Sequence, residues 1–214
     1  MNLDSCIKER RSCKDYLDKE IPLELIGEII EAASYAPSAG NLQNWSFIVV
    51  IDEKKKYDIS ISCLKQMWMN KSPVFIVICN RKKRVTDLFE ERGELYSIQN
   101  CAIAAQNIML KAHELGLGTC WVGSLDVESI RRILKIPEDV VPEAIITLGY
   151  PEKFEKEVQR EPVELITYFE EWGNRKTDTS VWPLNKQVSK LDQKMEKGRG
   201  KIGEFFKNLF KKKQ

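Results

Sequence analysis

Histidine is nearly absent from this chain: His113 is the only one in 214 residues. That argues against a Cys/His metal centre, which needs several soft nitrogen and sulfur ligands. There are six cysteines, Cys6, Cys13, Cys63, Cys79, Cys101 and Cys120, but no CxxC pair. Several sit inside apolar runs, so they read as small core residues of a reducing compartment, not as a disulfide frame or a zinc site. Long hydrophobic runs are also missing. The longest, Phe47–Ile51 and Val74–Cys79, are far too short to span a bilayer. No secretory leader is expected and the chain reads as cytoplasmic. A Gly-rich dinucleotide fingerprint is missing too: Gly116-Leu117-Gly118 follows an expected helix instead of opening one. The net charge of +2 gives no overall drive toward nucleic acid. There is no internal repeat, and no clear linker before about Asn174.

What is present is a chain that can build a core. Hydrophobic residues make up 43%, and 214 residues suffice for one sizeable α/β or α+β domain. Pro22–Ala36 predicts a helix, with Pro22 at its first position and Leu25, Ile26, Ile29, Ile30 and Ala33 on one face. Pro37 ends it. Trp45–Asp52 and Pro73–Asn80 read as buried strands, rich in β-branched and aromatic residues. Glu53 to about Asn70 reads as helical on weaker signals. Leu95–Leu115 predicts the longest helix, with Ile98, Ala102, Ala105, Ile108, Met109 and Ala112 inward, and Gly116 and Gly118 closing it. Thr119–Gly123 is a short strand or turn. Asp126 caps a helix through Leu134, with Ile130, Ile133 and Leu134 inward. Pro142–Tyr150 is a further strand. Apolar strands alternating with helices imply a sheet covered on both faces.

Four places could carry chemistry. Arg10-Arg11-Ser12-Cys13-Lys14 packs three cations and a hydroxyl into five residues, a set able to grip a phosphate. Its blander reading is a solvated basic turn after a first short helix. Ala36-Pro37-Ser38-Ala39-Gly40-Asn41-Leu42-Gln43-Asn44-Trp45 is an uncharged loop that could admit a flat heterocycle. Pro, Ser, Gly and Asn also make loops for purely local reasons, and Trp45 could be plain core. At Cys120-Trp121-Val122-Gly123 the glycine lets a backbone come close to a ligand; the alternative is a strand end with a core tryptophan. His113 near the end of the long helix fits a dipole role better than acid–base catalysis.

Charge is uneven along the chain. Residues 186–214 hold ten Lys or Arg and three Asp or Glu, a balance of +7, which leaves 24 minus 29, or −5, for the remainder. Within this tail Ile202, Phe205, Phe206, Leu209 and Phe210 recur at helical spacing beside Lys201, Lys207 and Lys211–Lys213. An amphipathic basic helix is expected, packed on the body or on a second copy, with weak contact to an anionic membrane surface as the alternative.

In their order along the chain these segments resemble the nitroreductase family of flavoproteins, over about Met1 to Trp172. The resemblance rests on Arg10-Arg11-Ser12-Cys13-Lys14-Asp15-Tyr16, on Ala36–Trp45, on Ala105–Ala112 leading to Gly116–Gly123, and on Leu148-Gly149-Tyr150-Pro151 followed by Arg160-Glu161-Pro162. It implies a three-layer α+β fold with a mostly antiparallel or mixed central sheet flanked by helices. It implies a homodimer with FMN at the interface. The FMN-binding domain would span 1–173, with a basic extension over 174–214.

Carried over residue by residue, Arg10 and Ser12 would hold the phosphate with Arg160, and Arg11 would add backbone or charge. Lys14 would lie at the pyrimidine end of the flavin ring. Pro37, Ser38, Ala39 and Asn41 would come from the partner subunit, with Gln43 shaping the loop. The backbone of Trp121, Val122 and Gly123 would approach the ring where hydride arrives. NADH or NADPH would supply hydride to FMN and a nitroaromatic, quinone or similar small acceptor would take it, in ping-pong turnover with no catalytic side chain assigned. Two alternatives stay open: a flavin-binding or regulatory protein with little turnover, and a specialised flavin enzyme such as a dehalogenase or a flavin-fragmenting synthase.

The sequence departs from the family's pattern at two places. Asn44 stands where a proline usually precedes the tryptophan, which implies a less rigid loop, and Asn100 stands where many relatives carry an acid. The residues that bind the uracil edge, between Glu53 and Lys71, are not placed by the sequence.

Overall fold

A computed structural model of the chain describes residues 1–153 and 158–175. It divides into two units, Met1–Glu157 and Val158–Gln214. The expected helix in the basic tail lies outside the described residues. In the second unit a short 3-10 turn covers Val163–Leu165, and the Tyr168 and Trp172 rings lie 4.6 Å apart.

The first unit is built on four strands, β1 (Trp45–Val50), β2 (Val74–Asn80), β3 (Gly118–Val122) and β4 (Val141–Gly149). They form one sheet in the order β1-β2-β4-β3, every neighbouring pair antiparallel. Six helices surround it: α1 (Leu3–Glu9), α2 (Leu23–Ser34), α3 (Glu53–Ser62), α4 (Lys83–Phe89), α5 (Gly93–Glu114) and α6 (Val127–Leu134). All seven residues of β2 are buried, because a central strand with helices on both faces has no solvent side. Its alternate residues divide between two cores. Val74, Ile76 and Ile78 join Ile146 and Leu148 of β4 under α2 and α5. Phe75, Val77 and Cys79 join Ile145 and Ile59 on the face of α3 and α6, where Ile130 is buried as expected. This is the expected three-layer α+β architecture. Among the described residues no helix is long and apolar enough to cross a membrane.

Helix ends follow their sequence signals. Asp52 accepts from Lys55 N at 2.8 Å and caps α3, and Asp126 accepts from Glu128 N and Ser129 N at 3.1 and 3.2 Å and caps α6. Pro22 stands one residue before α2 and not inside it. Gly116, at φ +77°, ends α5 while Leu117 N donates to Ala112 O at 2.8 Å. The expected helix over Glu53–Asn70 stops at Ser62, because Leu64 and Lys65 take left-handed φ of +57° and +56°. A 3-10 turn, Met67–Lys71, follows.

Two parts of the sequence reading need correction. Helix α4 occupies a stretch with no expected element; only Val85 of it is buried, so its apolar signal is thin. In α5 the buried stripe is Ser97, Cys101, Ala104, Ala105, Ile108 and Ala112, while Ile98 and Ala102 point outward. The sheet accepts small residues at close range, so bulk was a poor guide to the inward face. Leu95, Ile98 and Ile103 are instead left exposed.

His113 is buried near the end of α5, and burial holds its imidazole below the ordinary value. Arg10 and Arg11 push the same way and Glu9 opposes them. All six cysteines are buried. Burial raises the Cys63 and Cys79 thiols to about 11 and the Cys101 thiol to about 12.

Two outcomes are expected. At pH 8 a thiol reagent should leave the native protein nearly unlabelled and titrate six groups after denaturation; rapid labelling of the native state would contradict this. A histidine with a depressed native value stabilises the fold above its unfolded value of about 6.5. That stability is lost as pH falls below it, because only the unfolded chain takes the proton. Denaturant midpoints between pH 7 and pH 5 should therefore fall less steeply in His113→Gln than in the wild type.

Candidate functional site

After α1 the chain runs extended along the ends of β3 and β4. Ser12 bridges Thr119 in parallel, Cys13 N donates to Thr119 O at 2.8 Å, and Tyr16 bridges Pro151 in the antiparallel sense. Cys13 and Tyr16 are both buried, and because they stand three residues apart the segment must break strict alternation between them. Two glycines make room for them. A Cβ on Gly118 would stand 2.8 Å from the Cys13 sulfur, and one on Gly149 would stand 2.6 Å from the Tyr16 ring. Tyr16 donates its hydroxyl to Cys13 O at 2.6 Å and lies 2.7 Å from Thr147 Oγ1. Burial lifts this phenol well above its ordinary value, so it stays protonated.

The residues on either side of Cys13 turn the other way. Burial raises the Cys120 thiol on β3, and Lys14, Ser12 and Arg10 each oppose that rise. Ser12, paired with Thr119, sets this corner against β3, and the two cations act on the same thiol. Lys14 Nζ also lies 5.1 Å from the centroid of the Trp68 ring, within cation–π range. Trp68 Nε1 donates to Gln66 Oε1 at 3.2 Å. This places Gln66 and Trp68 beside Lys14, in the stretch where the sequence does not place the uracil-edge residues. The left-handed residues Leu64 and Lys65 turn the chain there, which no periodicity reveals. Arg11 folds back, with Nη1 donating to Lys8 O and Arg10 O at 2.6 and 2.7 Å, and so caps α1. Beyond Cys120, Val122 is buried, whereas Trp121 is 40% exposed and is not the core residue of the blander reading. Its indole lies over Gly123, where a Cβ would meet Nε1 at 2.9 Å.

The Pro37–Trp45 loop is tightly held. Ala39–Asn41 forms a 3-10 turn, and Gly40, Asn41 and Gln43 have φ of +57°, +56° and +46°. Two of these are not glycine, a conformation that surrounding bonds must maintain. Gln43 N donates to Ser38 Oγ at 3.1 Å, and Gln43 Nε2 donates to Asn41 O and Oδ1 at 3.1 and 3.2 Å. Ala39 N donates to Asn100 Oδ1 at 3.0 Å. Arg81 donates to the carbonyls of Gln43 and Trp45 at 2.9 and 3.0 Å. Trp45 is core. Leu88 and Phe89 of α4 stand 3.4 Å from where a Cβ on Gly40 would lie. The expectation that Asn44 loosens this loop is wrong. Asn44 is fully buried and hydrogen-bonded to Asn80, Ser97 and Asn100.

The structure therefore gathers Arg10, Ser12, Lys14, Cys120 and Trp68 into one cluster, and Ser38, Ala39, Asn41 and Gln43 into another. It does not join the two within one chain. The first cluster neighbours His113 of α5 through Arg10, and the second is tied to Asn100. Thirteen residues of helix separate those points, about 20 Å along the axis. Arg160 is exposed and belongs to the second unit.

Comparison with known proteins follows the same lines. The sequence pattern described as "Nitroreductase family" matches residues 7–71 and 60–150. A Methanothermobacter thermautotrophicus protein with the provisional name NADH dehydrogenase/NAD(P)H nitroreductase is 40% identical over 155 residues, covering 71% of this chain and 78% of its own. An FMN reductase (NADPH) of Bacillus subtilis is 28% identical over 198 residues, covering 86% and 79%. Among solved structures, B. megaterium NfrA1 superposes with a TM-score of 0.75 at 27% identity, covering 88% of this chain and 78% of that one. An FMN-dependent nitroreductase from Clostridium difficile R20291 does so with 0.68 at 32%, covering 79% and 99%. A family pattern covering more than half of the chain, over the segments that build both clusters, means that this protein belongs to the nitroreductase family.

Proposed function

We propose that the protein is an FMN-dependent oxidoreductase that takes hydride from NADH or NADPH and passes it to a nitroaromatic, quinone or similar acceptor. The observation that carries this reading is that Ser12 pairs with Thr119 at β3, with Arg10 and Lys14 on either side of it in the chain and the Lys14 amine 5.1 Å from the Trp68 ring. Such donors suit a phosphorylated ring. Arginine and serine offer directed hydrogen bonds to phosphate oxygens, and a lysine near the ring favours its anionic reduced form. The chemistry FMN supplies is two-electron transfer in two half-reactions. The chain's residues bind and orient: Arg10 and Ser12 hold the phosphate, and Lys14 sets the charge at the ring. Arg11, which caps α1, adds its positive charge to the same corner. The backbone from Trp121 through Val122 to Gly123 borders the ring, and exposed Trp121 offers the acceptor an aromatic surface.

The second half of the site, Pro37, Ser38, Ala39, Asn41 and Gln43, comes in this reading from another copy of the chain. The separation of the two clusters along α5 supports this. So does the exposed apolar side of α5, where Leu95, Ile98 and Ile103 offer a face for a second copy. The FMN domain is taken to end near residue 173, with 174–214 as an extension. Six buried cysteines fit a cytoplasmic setting.

Three outcomes test the reading. The purified protein should bind FMN, and stopped-flow mixing with NADH or NADPH should bleach the absorbance near 450 nm; failure to bind added FMN sinks the proposal. Arg10→Ala should weaken FMN binding about ten- to hundredfold, from a lost charged hydrogen bond of roughly 1.5–3 kcal/mol, while Lys14→Ala should keep FMN but lower its midpoint potential. Finally, Arg10→Glu and a loop variant, Gly40→Trp, should each fail to hold FMN. Their mixture should regain it, because a mixed dimer has one site with both halves intact. No recovery on mixing would place both halves of the site in one chain.

A further inference from the structure

Behind the loop lies a directional chain of buried amides that the reading above does not use. It begins at Glu143 on β4. The β2–β4 register shifts between Ile78, opposite Ala144, and Cys79, opposite Pro142, so Glu143 has no residue facing it. A bulge of this kind re-aims a side chain. Glu143 Oε1 accepts from Asn80 Nδ2 at 2.7 Å, and Asn80 Nδ2 also donates to Ser97 Oγ at 2.9 Å. Asn80 Oδ1 accepts from Asn44 Nδ2 at 2.7 Å, which donates to Ser97 O at 3.0 Å as well. Asn44 Oδ1 accepts from Asn100 Nδ2 at 2.7 Å, and Asn100 Oδ1 accepts from Ala39 N at 3.0 Å. Asn44, Asn80, Ser97 and Asn100 are all buried.

Each amide has one accepting and one donating side. An ionised carboxylate and a backbone carbonyl only accept, and a backbone N–H only donates. Glu143 and Ser97 O therefore fix the orientations of Asn80 and Asn44. Those fix Asn100, whose oxygen is left aimed at Ala39 N. Reversing any amide would set two acceptors against each other in a dry interior, where an unmade bond is expensive. We propose that Asn100, Asn44, Asn80 and Glu143 are positioning residues. Together they hold the Ala39–Gln43 backbone in its left-handed course so that it can meet the cofactor. The proposal rests on the FMN reading of the loop. It also joins the two departures noted in the sequence: Asn44 in place of a proline and Asn100 in place of an acid are successive links of one chain.

Replacing Asn100 by aspartate tests this. A neutral carboxyl can accept from Ala39 N and donate to Asn44 Oδ1, restoring both bonds. An ionised one faces Asn44 Oδ1 with no proton between them. The charged and titratable groups around the position are Glu143 on β4, Arg81 after β2, Cys79 on β2, and Glu94 and Cys101 on α5. The two thiols, raised to about 11 and 12, stay neutral through pH 8.5.

Two quantities are read between pH 5 and 8.5: the exchange protection of the Ala39 amide in the apoprotein, and the FMN dissociation constant. In wild type both should vary little with pH. In Asn100→Asp they should be near wild type at pH 5 and worsen at least tenfold by pH 8.5. In Asn100→Leu they should be worse at every pH with no such profile. The proposal is overturned if Ala39 protection is unchanged in Asn100→Leu. It is overturned equally if protection falls while FMN affinity does not, or if Asn100→Asp shows no pH profile. Wild type that binds no FMN refutes the functional reading, and with it the cofactor role of the amides, whereas protection at Ala39 still reports separately on the hydrogen-bond chain.

Discussion

The site depends on how closely one extended segment can lie against the ends of two strands. Ser12 to Tyr16 carries the cationic cluster outward only because Cys13 and Tyr16 are seated inward, over Gly118 and Gly149. The buried Tyr16 hydroxyl, bonded to Cys13 O and beside Thr147, closes that seat. With Cys13 inward, its immediate neighbours Ser12 and Lys14 turn the other way. The glycines are thus as much a part of the binding cluster as the cations, although neither offers a side chain to a ligand.

The second half of the site is governed by polar satisfaction and not by packing. Its loop passes through three left-handed positions in four residues. No apolar contact can impose such a course. Hydrogen bonds can, because they have direction. Arg81 holds the loop by its carbonyls, Ser38 and Gln43 hold it from within, and Asn100 holds it by Ala39 N. A buried polar group with every partner in place rigidifies its surroundings. This is why Asn44 stiffens a loop in which it replaces proline.

Much of this was legible in the sequence. The buried strand β2, the caps at Asp52 and Asp126, and the Gly116 stop are local signals, and local signals survive folding; β1, expected as a second buried strand, lies at the sheet edge with only Trp45 and Val50 buried. The order of Arg10–Tyr16, Ala36–Trp45, Gly116–Gly123 and Leu148–Pro151 carried the family. What was not legible depends on partners far away in the chain. The inward face of α5 was misassigned at Ile98 and Ala102 because its true stripe is made of small and polar residues chosen by the sheet. Asn44 was misread because its bonding partners, Asn80, Ser97 and Asn100, come 36 to 56 residues later. Gln66 and Trp68 were unplaced because a left-handed pair turns the chain toward Lys14. Helix α4 was missed because it buries only Val85.

The contact between residues 13 and 118 has a meaning for the history of such chains. A cysteine and a glycine there share one fixed volume across 105 positions of sequence. A side chain at 118 requires a smaller residue at 13, and a larger residue at 13 finds nothing at 118 left to shrink. The same holds for Tyr16 and Gly149. Evolution of the binding segment is therefore constrained less by the ligand it faces than by the space behind it.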